Sequence, residues 1–412
     1  MSLISLYSRP VILFLFVFAG YYKAAPLFRL VPVDITLLFA VLTAALCVWT
    51  FIKERHVPAG TVVMVGLFVT LLAGLRVPAD LADYATQKSL RLFSLTALAA
   101  FAPLLLVRDD RDREAFMVSI VALGSLMALF TLFDLVIDGV PKRGSVWNVN
   151  PIVLARASGF AALGVLLFFW HGRLRVWQGL PLIAITVAGL VLSGSRGPVV
   201  ALAAAALLSA SILGVNSVSG RRAWFTLLGV GGAGLAAITW LSSSYHFVGR
   251  RMLRLLTGDW QSTELTRMRI WSETGSTILE NPLGLGWGKF SETVRVFHNN
   301  EILAFYPHNI FLEVFVEAGW PAGLFFTCLV CWLLISTFRR TSRRDDLNSH
   351  LVTTGLVYWV LCAAFSGDVN DNRPFWAFLS VALFGVLTQG LGHSGGQAKR
   401  SRQPDECRRP HL

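Results

Sequence analysis

About twelve apolar runs, each roughly 17 residues or longer and set apart by short charged breaks, divide this chain. A helix rises about 1.5 Å per residue, so a run of that length crosses a hydrocarbon core of about 30 Å with modest help from its flanks. The runs fall near 10–28, 33–52, 58–76, 90–107, 115–137, 151–170, 176–192, 197–214, 223–241, 310–338, 351–366 and 374–391. They predict an all-α polytopic membrane protein of about 12 transmembrane helices. Composition agrees: 55% of the 412 residues are hydrophobic and 15% charged, against about half and a quarter in soluble chains. An ordinary soluble enzyme, a disordered chain and a collagen-like repeat are thereby excluded.

Charge decides orientation. A net charge of +12 would point to nucleic acid in a soluble protein. Here the positive-inside bias accounts for it, and no nucleic-acid partner is expected. With the N-terminus in the cytoplasm, 19 of the 36 Lys and Arg residues fall on the cytoplasmic side, in short loops and the tail. Of the other 17, 7 lie in one long loop that the rule scarcely weighs. Both termini are therefore expected inside. Val11 to Ala19 behind Arg9 has the look of a signal peptide, but no cleavage signature follows, so it reads as part of an uncleaved span. The five cysteines, odd in number and mostly in apolar runs, make neither a disulfide framework nor a zinc site. Cys328 and Cys331 share one face of an apolar helix and read as packing residues.

The chain then divides into nine N-terminal helices over 1–241, a long outer loop over 242–307, three C-terminal helices over 308–392, and a tail over 393–412. That tail, rich in Gly, Ser, Gln, Lys and Arg, is expected to be disordered beside anionic headgroups. Loops of the length of 242–307 are rarely idle. Within it Leu265, Met268, Trp271, Thr274 and Ile278 recur at helical spacing. This predicts an amphipathic helix, either lying on the membrane surface or forming part of a cap.

Leu192-Ser193-Gly194-Ser195-Arg196-Gly197-Pro198 joins two runs through a very short outer turn. Ser195 is placed to cap the next helix, and Pro198 suits its first turn. A helix start offers free N–H groups and partial positive charge, and Arg196 adds a guanidinium that grips phosphate oxygens in pairs. A snorkelling interfacial arginine is the alternative. In Arg267-Met268-Arg269-Ile270-Trp271 the two arginines point to different sides of a helix. Arg269 reads more readily than Arg267 as a solvated partner of Glu264 or Glu273.

Asn281-Pro282-Leu283-Gly284-Leu285-Gly286-Trp287-Gly288-Lys289 imitates a nucleotide loop without its pattern, since Leu283 stands where the first glycine belongs and Phe290 follows the lysine. It reads as a glycine-built turn that lets backbone pack closely. His308-Asn309 opens the tenth apolar stretch after Pro307. A histidine there can take a proton from a sugar hydroxyl, or merely cap the helix at headgroup level. Glu313 and Glu317 lie one turn apart on an otherwise apolar helix, where carboxylates need a cavity or a partner. Gly319-Trp320-Pro321 then breaks or kinks that helix. Asp110-Arg111-Asp112 has the spacing of metal-dependent sugar-nucleotide transferases but reads as a solvated charge cluster, and Asp368 with Asp371 reads as an ion pair with Arg373. No metal and no other cofactor is expected.

Taken in order, these motifs resemble the O-antigen ligase family, which includes O-antigen polymerases and related bacterial polysaccharide polymerases. The resemblance rests on Ser195-Arg196-Gly197, then Arg267 to Trp271, Asn281 to Phe290, and His308 to Gly319, and covers about residues 180–340. One departure is Ala322, where a glycine is expected, with Gly323 next to it. The resemblance implies a GT-C-like, metal-independent, inverting glycosyltransferase of the bacterial inner membrane, with a periplasmic active site. The donor would be a glycan on undecaprenyl pyrophosphate, and the acceptor either lipid A–core, for a ligase, or a growing polysaccharide, for a polymerase. Arg196 and Arg267 would hold the pyrophosphate and His308 would activate the acceptor hydroxyl, with Ser195, Arg269, Asn309, Glu313 and Glu317 as supporting residues. Compact size and the lack of a large C-terminal domain lean toward ligase. A transporter or flippase is the competing class. It predicts buried mid-span charges, whereas here, apart from Glu313 and Glu317, the ionisable residues crowd loops and span ends.

Overall fold

Each apolar run overlaps helix in the computed structural model, which describes residues 3–76, 80, 83–138, 144–244, 253, 257, 262–294, 297–298, 301–302, 305–344 and 346–400. The first run is divided between α1 (Leu3–Val17) and the one-turn α2 (Ala19–Tyr22). Then follow α3 (Ile35–Glu54), α4 (Ala59–Leu71), α5 (Tyr84–Leu106), α6 (Asp110–Asp138), α7 (Pro151–Trp170), α8 (Val176–Leu192), α9 (Arg196–Leu213) and α10 (Val218–Ser244). The long loop holds α11 (Ser262–Glu280), the short α12 (Phe290–Thr293) and an antiparallel pair, β1 (Phe297–His298) with β2 (Glu301–Ile302). The chain closes with α13 (Ile310–Ala318), α14 (Trp320–Arg344), α15 (Leu347–Phe365) and α16 (Arg373–Arg400).

Among the described residues seven helices are long and apolar enough to cross a membrane: α3, α5, α6, α7, α9, α14 and α15. Three shorter apolar helices join them, Ala59–Gly74, Val176–Leu192 and Arg373–Thr388. The protein is a polytopic membrane α protein. Its perimeter exposes Leu37, Val41, Phe51 and Ile52 on α3 and Val62, Val65 and Val69 on α4, as a lipid-facing surface must. Helices α7 and α15 are buried along most of their length. Small residues on α7, among them Ala157, Ser158 and Ala161, let α6, α8 and α9 approach closely. Phe18, Phe116, Phe160, Trp359 and Phe378 interlock at the centre, with ring centroids 5.2 to 6.4 Å apart.

Several boundaries differ from expectation, each for a physical reason. Helix α5 begins at Tyr84 rather than near 90, because Lys88 finds buried partners that a rule ending runs at charges cannot see. Residues Leu92–Thr96 form a π-turn inside it. The tenth run is two helices, since Gly319 at φ 86° ends α13 and α14 starts at Trp320. Helix α16 continues through Arg400, so residues 393–400 of the expected disordered tail are helical, and 401–412 lie outside the described residues. Cys328 and Cys331 are exposed on α14, not packed within the fold. Arg156 and Lys88 lie buried within the first two turns of α7 and α5, so the ionisable residues near helix ends include charges shut inside the fold.

The expected amphipathic helix is α11. It buries Ile270, Thr274, Thr277 and Ile278 while leaving Leu265 and Met268 exposed. Ile270 and Ile278 meet Val316 of α13 together with Phe290 and Val294. The apolar face of α11 is thus turned toward protein and caps α13.

Candidate functional site

Two segments singled out in the sequence converge on a third, the helix α13. Backbone N–H groups of Leu285 and Gly286 donate to the carbonyls of Val316 (2.8 Å) and Glu317 (2.9 Å), closing the C-terminal end of that helix. This needs close approach: Gly284 has φ 78°, and a Cβ there would lie 2.6 Å from the Glu317 carbonyl oxygen. The indole N–H of Trp287 donates to Leu71 O (2.9 Å), tying the same turn to α4. The glycine segment is therefore a turn whose backbone packs closely, as its pattern suggested, and here it clamps the end of α13. From the other side the indole N–H of Trp271 donates to Pro307 O (2.9 Å), so α11 is docked directly on the residue before His308.

At the start of α13, Asn309 Oδ1 accepts from the N–H groups of Phe311 (2.9 Å) and Leu312 (3.2 Å), an N-cap in the ordinary sense. His308 just before it has φ 56°, in the left-handed region. A non-glycine residue held there costs about 1 kcal/mol or more and persists only where its surroundings impose it. Its ring meets Tyr306 edge-on at 4.6 Å. Burial and then the nearby Arg267 guanidinium press its pKa down from 6.5 to about 4, while Asp368 pulls the other way. The imidazole is therefore neutral at pH 7. Arg269 is exposed, so the two arginines of α11 do face different sides.

Asp368 belongs to the loop between α15 and α16. Its Oδ1 accepts from the N–H groups of Asn370 (2.9 Å) and Asp371 (2.7 Å), which shapes the loop around it. Arg373 does not close the expected ion pair but lies over the Phe16 ring at 5.7 Å. Buried Arg156 braces the same loop, donating to Cys362 O (3.0 Å) and Ser366 O (2.6 Å). Arg196 is half-buried at the first position of α9. Its neighbour Gly197 packs against Phe365, which brings this helix start beside the Asp368 loop. Ser195 holds the cap position, but its side chain makes no capping bond, and its N–H donates instead to Ser193 Oγ at 3.1 Å.

Glu313 and Glu317 have a partner, Lys88 of α5. Its Nζ lies 2.6 Å from Glu313 Oε1 and 2.6 Å from Glu317 Oε2, with all three side chains buried. Sequence reasoning missed Lys88, Arg156, Tyr306 and the part played by Asp368. The one available signal was electrical, since two carboxylates on an apolar helix demand a buried cation somewhere. Asp110 behaves as read, pairing with Arg113 at 2.6 Å at the start of α6.

A neutral imidazole, a guanidinium and a carboxylate thus come together at the head of α13 in a polytopic membrane α protein. Residues 180–327 match the family model described as O-antigen ligase. Over that stretch, about a third of its length, the chain is similar to the O-antigen ligase family. Comparison with curated proteins finds no match. The matched stretch contains Arg196, Arg267 and His308, whereas Lys88, Arg156 and Asp368 lie outside it. The buried charges Lys88 and Arg156, which a transporter would also show, are each held by groups of the chain itself.

Proposed function

We propose that the protein is an O-antigen ligase of the bacterial inner membrane. It moves a glycan from undecaprenyl pyrophosphate to a hydroxyl of lipid A–core on the periplasmic face, inverting the anomeric carbon without a metal. The observation that carries this reading is His308, an imidazole kept neutral by burial and Arg267 and fixed in a left-handed corner at the head of α13. As the acceptor oxygen attacks the anomeric carbon, its proton passes to the imidazole. On the opposite face the bond from that carbon to the pyrophosphate oxygen breaks, and the leaving group keeps the electron pair. Arg267, Arg196 and the start of α9 supply positive charge to the departing oxygens. The donor's polyprenyl tail lies among the membrane lipids beside the helices.

Arg267 couples the two halves of the reaction. An anionic pyrophosphate bound to it offsets the charge that holds His308 down, so donor binding makes the base stronger when it is needed. The test is direct. Purified protein given a lipid-linked oligosaccharide and lipid A–core is expected to release undecaprenyl pyrophosphate in the presence of EDTA. His308→Ala, folded normally, is expected to lose about tenfold or more in rate. Full activity in that variant removes His308 as the base, and a chelator-sensitive reaction restored by Mg²⁺ removes the metal-free mechanism. Longer glycan on the lipid carrier, with none on lipid A–core, makes the protein a polymerase.

A further inference from the structure

The most tightly built polar cluster outside the residues assigned to transfer is Lys88 with Glu313 and Glu317. Helix α5 supplies the ammonium and α13 both carboxylates, at 2.6 Å each, with side-chain exposures of 1% for Lys88 and 0% for each glutamate. The rings of Tyr84 and Trp287 flank the ammonium at 6.0 Å. One ammonium facing two carboxylates leaves the cluster short of positive charge in a dry site, so removal of the lysine would be severe. Helix α13 has nine residues. Asn309 and the backbone of Leu285 and Gly286 close its two ends, which sets where it begins and stops. Lys88 grips two successive turns on one face, which sets its rotation about its own axis. That rotation matters because His308 joins the first turn through Asn309.

We propose that Lys88 is a positioning residue for His308, holding α13 in the rotation that keeps the imidazole against Tyr306 and beside Arg267 and Asp368. Its catalytic meaning rests on the proposed transfer reaction; the positional claim itself is testable without it. Lacking Lys88, the two buried carboxylates must take up protons or admit water, and either way the charge-assisted grip that fixes the rotation of α13 is gone. His308 then leaves its buried corner and titrates nearer its ordinary value of 6.5. The groups facing His308 are Arg267 from α11, Asp368 from the loop before α16 and Tyr306 on its own segment. Those facing Lys88 are Glu313, Glu317, Asp368 and Tyr84.

The experiment follows the His308 ring by NMR in detergent micelles without substrate, its signal assigned by difference against His308→Ala. In the wild type the midpoint is expected near pH 4. Lys88→Met is expected to raise it by about one pH unit or more, and to lower kcat about tenfold while donor KM stays within about twofold. If Lys88→Met does not fold, Lys88→Met/Glu313→Gln/Glu317→Gln buries no charge and yet makes no charge-assisted clamp, so its midpoint is expected to rise in the same way. A folded variant of either kind whose His308 titrates as in the wild type overturns the proposal. A wild type that transfers no glycan counts against the ligase reading instead, because the titration is read without substrate.

Discussion

The two ends of α5 handle charge in opposite ways. Just past its C-terminal end, Arg108 pairs with Glu54, Arg9 approaches the same carboxylate at 3.6 Å, and Arg113 meets Asp110. Most of these side chains are partly open to solvent. Near its N-terminal end, Lys88, Glu313 and Glu317 are closed off entirely, and Arg156 is buried beneath the Asp368 loop. Pairs of the first kind are worth about 1 kcal/mol or less, whereas stripping a partner from the second kind costs about 3–5 kcal/mol. Open charges mark which side a loop faces. On the proposed mechanism the buried ones hold the His308 corner still, and such a cost is tolerated where chemistry needs geometry.

Arg156→Met is expected to break this contrast most severely. It leaves the carbonyl of Cys362 without its side-chain donor and that of Ser366 with only the longer bond from Asn372, which should lower stability by about 2–3 kcal/mol, read as a fall in the thermal midpoint in detergent. Arg267→Ala comes next, with a loss of about tenfold or more in transfer rate. It should also move the acidic limb of the kcat/KM profile, which reports the free enzyme, upward from about pH 4, since Arg267 helps hold the His308 pKa down. An unchanged limb would show that burial alone sets the base.

The same shift has a stability consequence. Between pH 6.5 and about 4 the unfolded chain binds a proton at His308 that the fold refuses. Acidification through that window therefore destabilises the protein, and the effect levels off below it. His308→Ala should lack this component, as unfolding midpoints measured across pH would reveal. Trp271→Phe removes the bond to Pro307 O and should cost about 1 kcal/mol, with a rate loss of a few fold. Arg9→Gln, at the open end, should change stability by less than about 1 kcal/mol and leave transfer untouched. A large effect there would erase the distinction between the two ends.

Part of the local structure around His308 is legible in the sequence. The 281–289 segment is a glycine turn and the two arginines of α11 point to different sides, each as its local pattern indicated, whereas the cap of α13 is Asn309 and not His308. Ser195 shows the limit of such reasoning, because its position was right and its expected capping bond is absent. The spacing puts Met268 on the apolar face of α11, but Ile270 takes that place once α13 is present to bury it. The length of α5 was misjudged for a related reason. A lysine ends an apolar run unless something opposite neutralises it.

The sequence by itself determined the membrane class, the helical order, the glycine turn and the succession of motifs. Those follow from run length, local capping and backbone chirality, which a few neighbouring residues settle among themselves. Only the tertiary structure decided that Lys88 would meet Glu317 across 229 residues of chain, or that Asp368 would stand near His308. No periodicity within a helix reports what faces it, and the energy of a buried charge belongs to the pair.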